Sequence, residues 1–279
     1  MSTVKEALAN ALTLLGNPEQ HRIDCEVLLA FVLHKPRTYL YTHPEHIVSA
    51  ETLLQFNELI AKRHLGTPIA YLVGYREFWS LPLKVSEATL IPRPETELIV
   101  ELTLKLLDSV EKAQILDLGT GCGAIALALA HEKPAWKIIA CDNSAEALQV
   151  AQENAEKLHL SHIQFILSDW FTTIPAEKTF HAIVANPPYI ASDDPHLDQG
   201  SLRYEPRSAL CGGDDGLVAL QQLIKQSLVR LEKNGLLLVE HGYLQKNAVS
   251  ALLHDYGYKE VHCWQDWQGN DRISGGRRI

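Results

Sequence analysis

Over the first 65 positions apolar residues recur at helical spacing. Val4, Leu8, Leu12 and Leu15 form one stripe, Ile23, Val27 and Phe31 with Leu28 and Val32 a second, and Leu53, Phe56 and Ile60 a third. Steps of three and four residues bring side chains to one face of a helix. Gly16-Asn17-Pro18, Lys35-Pro36-Arg37 and His43-Pro44 punctuate these runs, as residues that break or turn a helix should. The pattern predicts a small helical bundle over residues 1–74. Between Tyr75 and Ile91 the period changes: Phe78, Trp79, Leu81, Leu83 and Val85, with Pro82 among them, predict a short edge hairpin. Residues 75–92 are therefore expected to be a hairpin linker, with a second domain over 93–279. Pro94, Glu95 and Glu97 open an amphipathic helix reaching about Leu107, since proline and acids suit a first turn.

From residue 113 onward short apolar runs alternate with helical patterns. The strand candidates are Gln114–Leu118, Lys137–Cys141, Ile163–Leu167, His181–Ala185, Leu236–Val239 and Glu260–Trp264. Helices are expected at Ala124–Glu132, Ala145–Leu158, Leu217–Leu231 and Leu244–Asp255. Such alternation implies right-handed βαβ units: an α/β fold whose mostly parallel sheet is doubly wound by helices. Ligands in such sheets bind at the carboxyl ends of the strands, near the point where strand order reverses.

Composition narrows the class. A 46% hydrophobic and 21% charged chain is ordinary for a globular protein. No apolar run approaches the roughly 18 residues of a membrane span, and Met1-Ser2-Thr3-Val4-Lys5-Glu6 is no signal peptide; a cytoplasmic protein is expected. The five cysteines form no C-x-x-C pair and the histidines no H-E-x-x-H, so reduced, buried thiols are expected and no metal. The net charge is −9, and residues 1–85 hold equal numbers of acids and bases. A duplex-DNA partner usually demands a basic surplus, which weighs against one here.

Asp117-Leu118-Gly119-Thr120-Gly121-Cys122-Gly123 closes the first strand of the alternating region. Its glycines let backbone approach a ligand closely. Asp142 ends the second strand, 23 residues after Gly119, where a carboxylate can accept hydrogen bonds from both ribose hydroxyls. Asp169-Trp170 ends the third, placing a polar group and an aromatic face where an adenine could lie. Asp117 could orient the loop or meet a cationic amino group. The loop alone does not separate NAD from S-adenosylmethionine.

Asn186-Pro187-Pro188-Tyr189 follows the fourth strand. An amide or exocyclic amine nitrogen is a poor nucleophile because its lone pair is delocalised. The Asn186 side-chain carbonyl and the Pro187 backbone carbonyl can take both N–H hydrogens and return electron density to nitrogen. Successive prolines stiffen the corner and bring no competing N–H. Tyr189 offers an aromatic wall to a flat group.

Together, the Gly119–Gly123 loop, Asp142, Asp169-Trp170 and Asn186-Pro187-Pro188-Tyr189 resemble the class I methyltransferases that methylate amide and amine nitrogens. Leu90-Ile91-Pro92-Arg93-Pro94-Glu95-Thr96-Glu97 and Arg203-Tyr204-Glu205-Pro206-Arg207-Ser208-Ala209-Leu210, followed by Gly212-Gly213-Asp214-Asp215-Gly216-Leu217, narrow the resemblance to the release-factor glutamine methyltransferases, the HemK/PrmC family. Glu240-His241-Gly242 is similar to that family's Glu-x-Gly, with His241 expected to pack rather than act as a base. The resemblance implies a seven-stranded Rossmann-like sheet with a small N-terminal helical domain that helps hold the substrate protein. It implies S-adenosyl-L-methionine as cofactor, with S-adenosyl-L-homocysteine as product. It also implies N5 methylation of the glutamine in the Gly-Gly-Gln motif of class I peptide chain release factors. Carried over by position, Gly119, Thr120, Gly121, Cys122, Gly123, Asp142, Trp170 and Asn186 would bind cofactor, Cys122 through its backbone. Asn186, Pro187, Pro188 and Tyr189 would hold the glutamine amide, with Asn186, Pro187 and Tyr189 catalytic. A monomer with no stable nucleic-acid or membrane partner is expected. The alternatives are a ribosomal-protein glutamine methyltransferase, an adenine-N6 nucleic-acid methyltransferase, which would want a basic target-recognition region, an NAD-dependent oxidoreductase and a non-catalytic nucleotide-binding adaptor. The oxidoreductase leaves Asn186–Tyr189 unexplained.

Overall fold

A computed structural model describes residues 2–279, which divide into two compact units, one ending at Gly74 and one spanning residues 75–279. In the first unit, helices α1 (Val4–Leu15), α2 (Pro18–Leu33), α3 (Arg37–Thr42), α4 (Ala50–His64) and α5 (Ile69–Val73) surround a core that includes Val4, Ala11, Leu28, Leu29, Phe56 and Ile60. Two-residue strands β1 (Ser2–Thr3) and β2 (Ile47–Val48) pair antiparallel. Thr3 starts α1 with a capping box: Glu6 N donates to Thr3 Oγ1 at 3.2 Å, and Thr3 N donates to Glu6 Oε2 at 2.9 Å. The buried stripe of α2 differs from the expected one. Ile23 and Phe31 are exposed, while Cys25, Leu28 and Leu29 are buried. Helix α2 is apolar around most of its circumference, so spacing alone cannot select the side that meets α1 and α4.

The second unit opens with a hairpin, β3 (Tyr75–Phe78) and β4 (Leu81–Lys84). Trp79 and Ser80 both take left-handed backbone, with φ of 52° and 59°, which matches the twist of a two-residue hairpin turn. The hairpin is fastened to this unit. Trp79 donates from its backbone N to Glu97 and from its indole to Glu132, each at 2.8 Å, and Lys84 exchanges two hydrogen bonds with Asn154.

A single turn of 3₁₀ helix, Pro94–Thr96, leads into α6 (Glu97–Leu106). The sheet comprises β5 (Gln114–Leu118), β6 (Lys137–Asp142), β7 (Gln164–Leu167), β8 (Phe180–Ala185), β9 (Leu231–Glu240), β10 (Lys259–Gln265) and β11 (Asp271–Arg277), in the order β10-β11-β9-β8-β5-β6-β7. Strands β7, β6, β5, β8 and β9 are parallel, and β11 runs antiparallel to both its neighbours. Helices α7 (Ala124–Glu132), α8 (Ala145–Lys157), α9 (Arg207–Leu210), α10 (Val218–Ser227) and α11 (Lys246–Asp255) complete the unit. Strands β5 and β8 lie at the centre, with Leu116, Leu118, Ile183 and Val184 fully buried, as strands covered on both faces must be. Strand order reverses between β5 and β8, so the crevice of such a sheet falls at their carboxyl ends.

Candidate active site

A cavity of about 480 Å³ opens at that edge, lined by residues from the ends of β5, β6, β7 and β8. The turn after β5 is held from below. Gly119 N and Thr120 N both donate to Cys141 O at 2.9 Å, and Gly121 N donates to Asp142 Oδ2 at 2.8 Å. Gly119, Gly121 and Gly123 all have positive φ, a region that costs other residues strain. They serve different ends. A side chain on Gly121 would meet nothing within 4 Å, whereas a Cβ on Gly123 would lie 2.8 Å from Leu127 Cδ1. Gly121 keeps backbone bare toward the cavity; Gly123 lets the loop close onto α7.

Asp117 lies fully buried beneath the loop. Its Oδ2 accepts from Thr120 Oγ1 at 2.6 Å and from Ala126 N at 3.2 Å, while its buried Oδ1 has no partner among the described residues. Burial pushes this carboxyl up to about 7, against the pull of those two donors. Asp142 lines the cavity, its carboxyl also raised by burial although Ser144 N and Gly121 N donate to it. Trp170 sits beside the loop: a Cβ on Gly119 would be 3.9 Å from its ring. Its φ of 47° is rare for a bulky residue. Ser168 Oγ fixes that turn by donating to Trp170 O at 2.8 Å. Bare backbone, a ribose-height carboxylate and a flat ring in one cavity fit an adenosine-type cofactor.

Of the residues singled out from sequence, Gly119, Thr120, Gly121, Cys122, Asp142, Trp170, Asn186 and Pro188 line this cavity. Gly123, Pro187 and Tyr189 do not. Pro187 is buried in the turn between two lining residues. The Tyr189 ring packs against the core beneath β8 and β9, and its hydroxyl donates to Glu240 Oε1 at 3.1 Å. Burial and the adjacent Glu240 charge push the Tyr189 hydroxyl well above its ordinary range.

Sequence reasoning gave no role to Thr96 or Glu240, yet both touch the Asn186 corner. Asn186 Nδ2 donates to Thr96 Oγ1 at 3.1 Å, and Thr96 Oγ1 donates to Glu240 Oε2 at 2.6 Å. Glu240 is fully buried, which raises its carboxyl. Neither Asn186 Oδ1 nor the Pro187 carbonyl accepts a hydrogen bond from any described residue. His241 is buried: its Nδ1 meets Gly242 O and its Nε2 meets Ser274 Oγ, both at 2.8 Å. Burial lowers its pKa, leaving a neutral ring spent on packing β9 to β11. Across the cavity, Glu205 accepts from Ile91 N at 3.0 Å and from the Arg93 guanidinium. That ties the Leu90–Glu97 segment to Pro206, Ser208 and Ala209, which line the cavity wall.

The sheet order, the glycine turn at its switch point and the acidic and aromatic residues around one cavity define a class I methyltransferase. Residues 96–200 match the methyltransferase small domain model, and residues 6–74 match the PrmC N-terminal domain model. The release factor glutamine methyltransferase of Aliivibrio fischeri is 46% identical over 96% of this chain and 94% of that protein. That of Escherichia coli K12 is 44% identical over 97% of each. The chain belongs to the release factor glutamine methyltransferase family. Solved structures share the fold at low identity. The catalytic domain of hMettl16, crystallised with an RNA hairpin, has a TM-score of 0.61 and 14% identity over 90% of this chain and 91% of that chain. The Thermus thermophilus 16S rRNA N2 G1207 methyltransferase, in complex with AdoMet and guanosine, has a TM-score of 0.55 and 19% identity over 74% of this chain and 50% of that chain.

Proposed function

We propose that this enzyme methylates the side-chain amide nitrogen of the Gly-Gly-Gln glutamine in class I peptide chain release factors, with S-adenosyl-L-methionine as methyl donor. One observation carries the chemistry: Asn186 Oδ1 and the Pro187 carbonyl are both uncommitted acceptors at a stiff corner beside the cofactor-type cavity. A glutamine amide has two N–H donors and suits two such acceptors. Drawing on both hydrogens loosens the conjugation of nitrogen with its carbonyl and lifts its nucleophilicity. S-adenosylmethionine supplies the methyl group on a sulfonium, an already activated electrophile. The protein's task is then alignment, which can remove about 7–11 kcal/mol from a barrier in favourable cases. The nitrogen becomes acidic as it is methylated, so a strong general base is not required.

Asn186, Pro187 and Pro188 are assigned to hold the amide, and Tyr189 to brace the corner from behind through Glu240. Gly119 through Cys122, Asp142 and Trp170 are assigned to the cofactor, with Asn186 shared and Gly123 supporting the loop. The N-terminal unit, which matches the PrmC N-terminal domain model, is assigned to hold the release factor. No helix of the described residues is long and apolar enough to cross a membrane. Its proposed substrate works in translation, so we assign the enzyme to the cytoplasm.

The test gives the protein radiolabelled S-adenosylmethionine and purified release factor, either wild type or with the Gly-Gly-Gln glutamine changed to alanine. Label on the wild type alone is expected. Label on neither, or equally on both, overturns the assignment.

A further inference from the structure

A primary amide such as that of Asn186 can turn over, exchanging its carbonyl oxygen for its NH₂ group. Only one orientation presents an acceptor to a substrate N–H. The other presents two donors and repels it. What selects the orientation lies on the far side of the side chain. Asn186 Nδ2 is 3.1 Å from Thr96 Oγ1, and Thr96 Oγ1 is 2.6 Å from Glu240 Oε2. The second carboxylate oxygen accepts from Tyr189 at 3.1 Å. Both Glu240 oxygens thus act as acceptors, one toward Thr96 and one toward Tyr189, which leaves the carboxyl no proton to offer Thr96. Thr96 must therefore spend its only proton on Glu240 and meet Asn186 with a lone pair. Among the described residues that lone pair is met by the Asn186 NH₂ group, which turns Oδ1 the other way.

We propose that Thr96 and Glu240 are positioning residues that fix the polarity of the Asn186 amide, and thereby make the corner select a methyl acceptor bearing N–H donors. The direction of the chain is dictated at its acidic end and passes through two hydrogen bonds. Each bond polarises the next in a site shielded from water, so the Asn186 oxygen is also a stronger acceptor than an isolated amide. Glu240 touches neither cavity nor substrate; it acts through Thr96. The inference rests on the acceptor role given to Asn186 above.

Thr96→Ser keeps the hydroxyl and Thr96→Val removes it at nearly constant shape. In the release-factor assay, Thr96→Ser should retain kcat within threefold. Thr96→Val should lose about tenfold in kcat, with KM for release factor and affinity for S-adenosylmethionine within twofold of wild type. Adding Thr96→Val to Glu240→Met, which offers Thr96 no oxygen acceptor, should cost no further kcat, because the link is already cut. Equal losses in the serine and valine variants, a valine variant within twofold of wild type, or multiplying losses in the double variant each overturn the inference. Should Thr96→Val not fold, Thr96→Ala makes the same comparison.

A second measurement needs no turnover. In ¹⁵N-labelled protein the Asn186 side-chain NH₂ signals are identified by their loss in Asn186→Ala. Their exchange with water should be slow in wild type and Thr96→Ser, and at least tenfold faster in Thr96→Val. Unchanged exchange in Thr96→Val sinks the proposal. Absence of transfer to release factor by wild type would refute the substrate assignment alone, and the exchange measurement would still decide this one.

Discussion

Replacing Arg93 by methionine probes the tie across the cavity wall. The Glu205 side chain is fully buried, and its two donors are Ile91 N and the Arg93 guanidinium. Removing the guanidinium leaves a buried carboxylate with a single donor. Breaking a fully buried pair costs about 3–5 kcal/mol. Arg93 is 30% exposed, so water screens the pair and about 2 kcal/mol is the better figure. That energy falls on a surface segment in which a further ion pair joins exposed Arg207 and Asp198 at 3.0 Å. Local opening of residues 202–210 is therefore expected in place of global unfolding. At about 1.4 kcal/mol per factor of ten, the open population rises about 30-fold. Limited trypsin cleavage after the exposed Arg203 and Arg207 reads that population when opening is faster than cutting. Arg93→Met should be cut about 30-fold faster than wild type, with a melting temperature lowered by only a few degrees. Adding Glu205→Gln should recover part of the loss, because no uncompensated charge then remains buried. Cleavage at the wild-type rate would refute the reasoning, as would a double variant cut as fast as Arg93→Met.

Three further outcomes follow from the site. Asn186→Ala should abolish turnover while reducing S-adenosylmethionine affinity only modestly, as read by calorimetry beside the methylation assay; retained turnover counts against the proposed chemistry. For Asp117, a carboxyl raised to about 7 in the folded protein from an ordinary value of 3.8 favours the native state when protonated. That stability is fully present below about pH 4 and is lost as pH rises through 7, by at most about 1.4 kcal/mol per pH unit. Urea melts of cofactor-free wild type and Asp117→Asn between pH 5 and 8 should therefore diverge, wild type gaining relative stability toward low pH; parallel curves would refute this. In the glycine turn, Gly121→Ala should chiefly weaken cofactor binding, because its Cβ enters open space, while Gly123→Ala should chiefly lower stability, by about 2–4 kcal/mol from strain and the Leu127 clash. Equal effects of the two on both measurements would contradict the division of roles.

The parts of this protein legible in its sequence are those whose physics is local. Strand β5 and helix α7 fall on Gln114–Leu118 and Ala124–Glu132 as expected from their patterns. Where the pattern is ambiguous, tertiary packing decides, as on α2. Strand β11 gave no signal at all. Its Asp-Arg-Ile-Ser-Gly-Gly-Arg carries one large apolar residue, because the sheet leaves no room for more. A Cβ on Gly275 would come within 2.7 Å of Leu238 Cδ2, and one on Gly276 within 2.9 Å of Tyr258 Cβ. Burial there is obtained by lacking side chains, which hydrophobic periodicity cannot register.

The site divides in the same way. The turn after β5 and the Asn186–Tyr189 corner are contiguous in sequence, and each carries its chemistry in its own residue order. The contacts that orient them are not contiguous. Thr96 meets Asn186 across 90 positions, Tyr189 meets Glu240 across 51, and Ile91 meets Glu205 across 114. Hydrophobic pattern has no term for such pairs, because a polar residue at a strand end reads the same whether it faces water or a buried partner. Only closure of the sheet brings the end of β9 beside the end of β8 and sets Thr96 against both. The acceptors can therefore be named from the chain, whereas the buried acid that dictates which way one of them points becomes visible only in three dimensions.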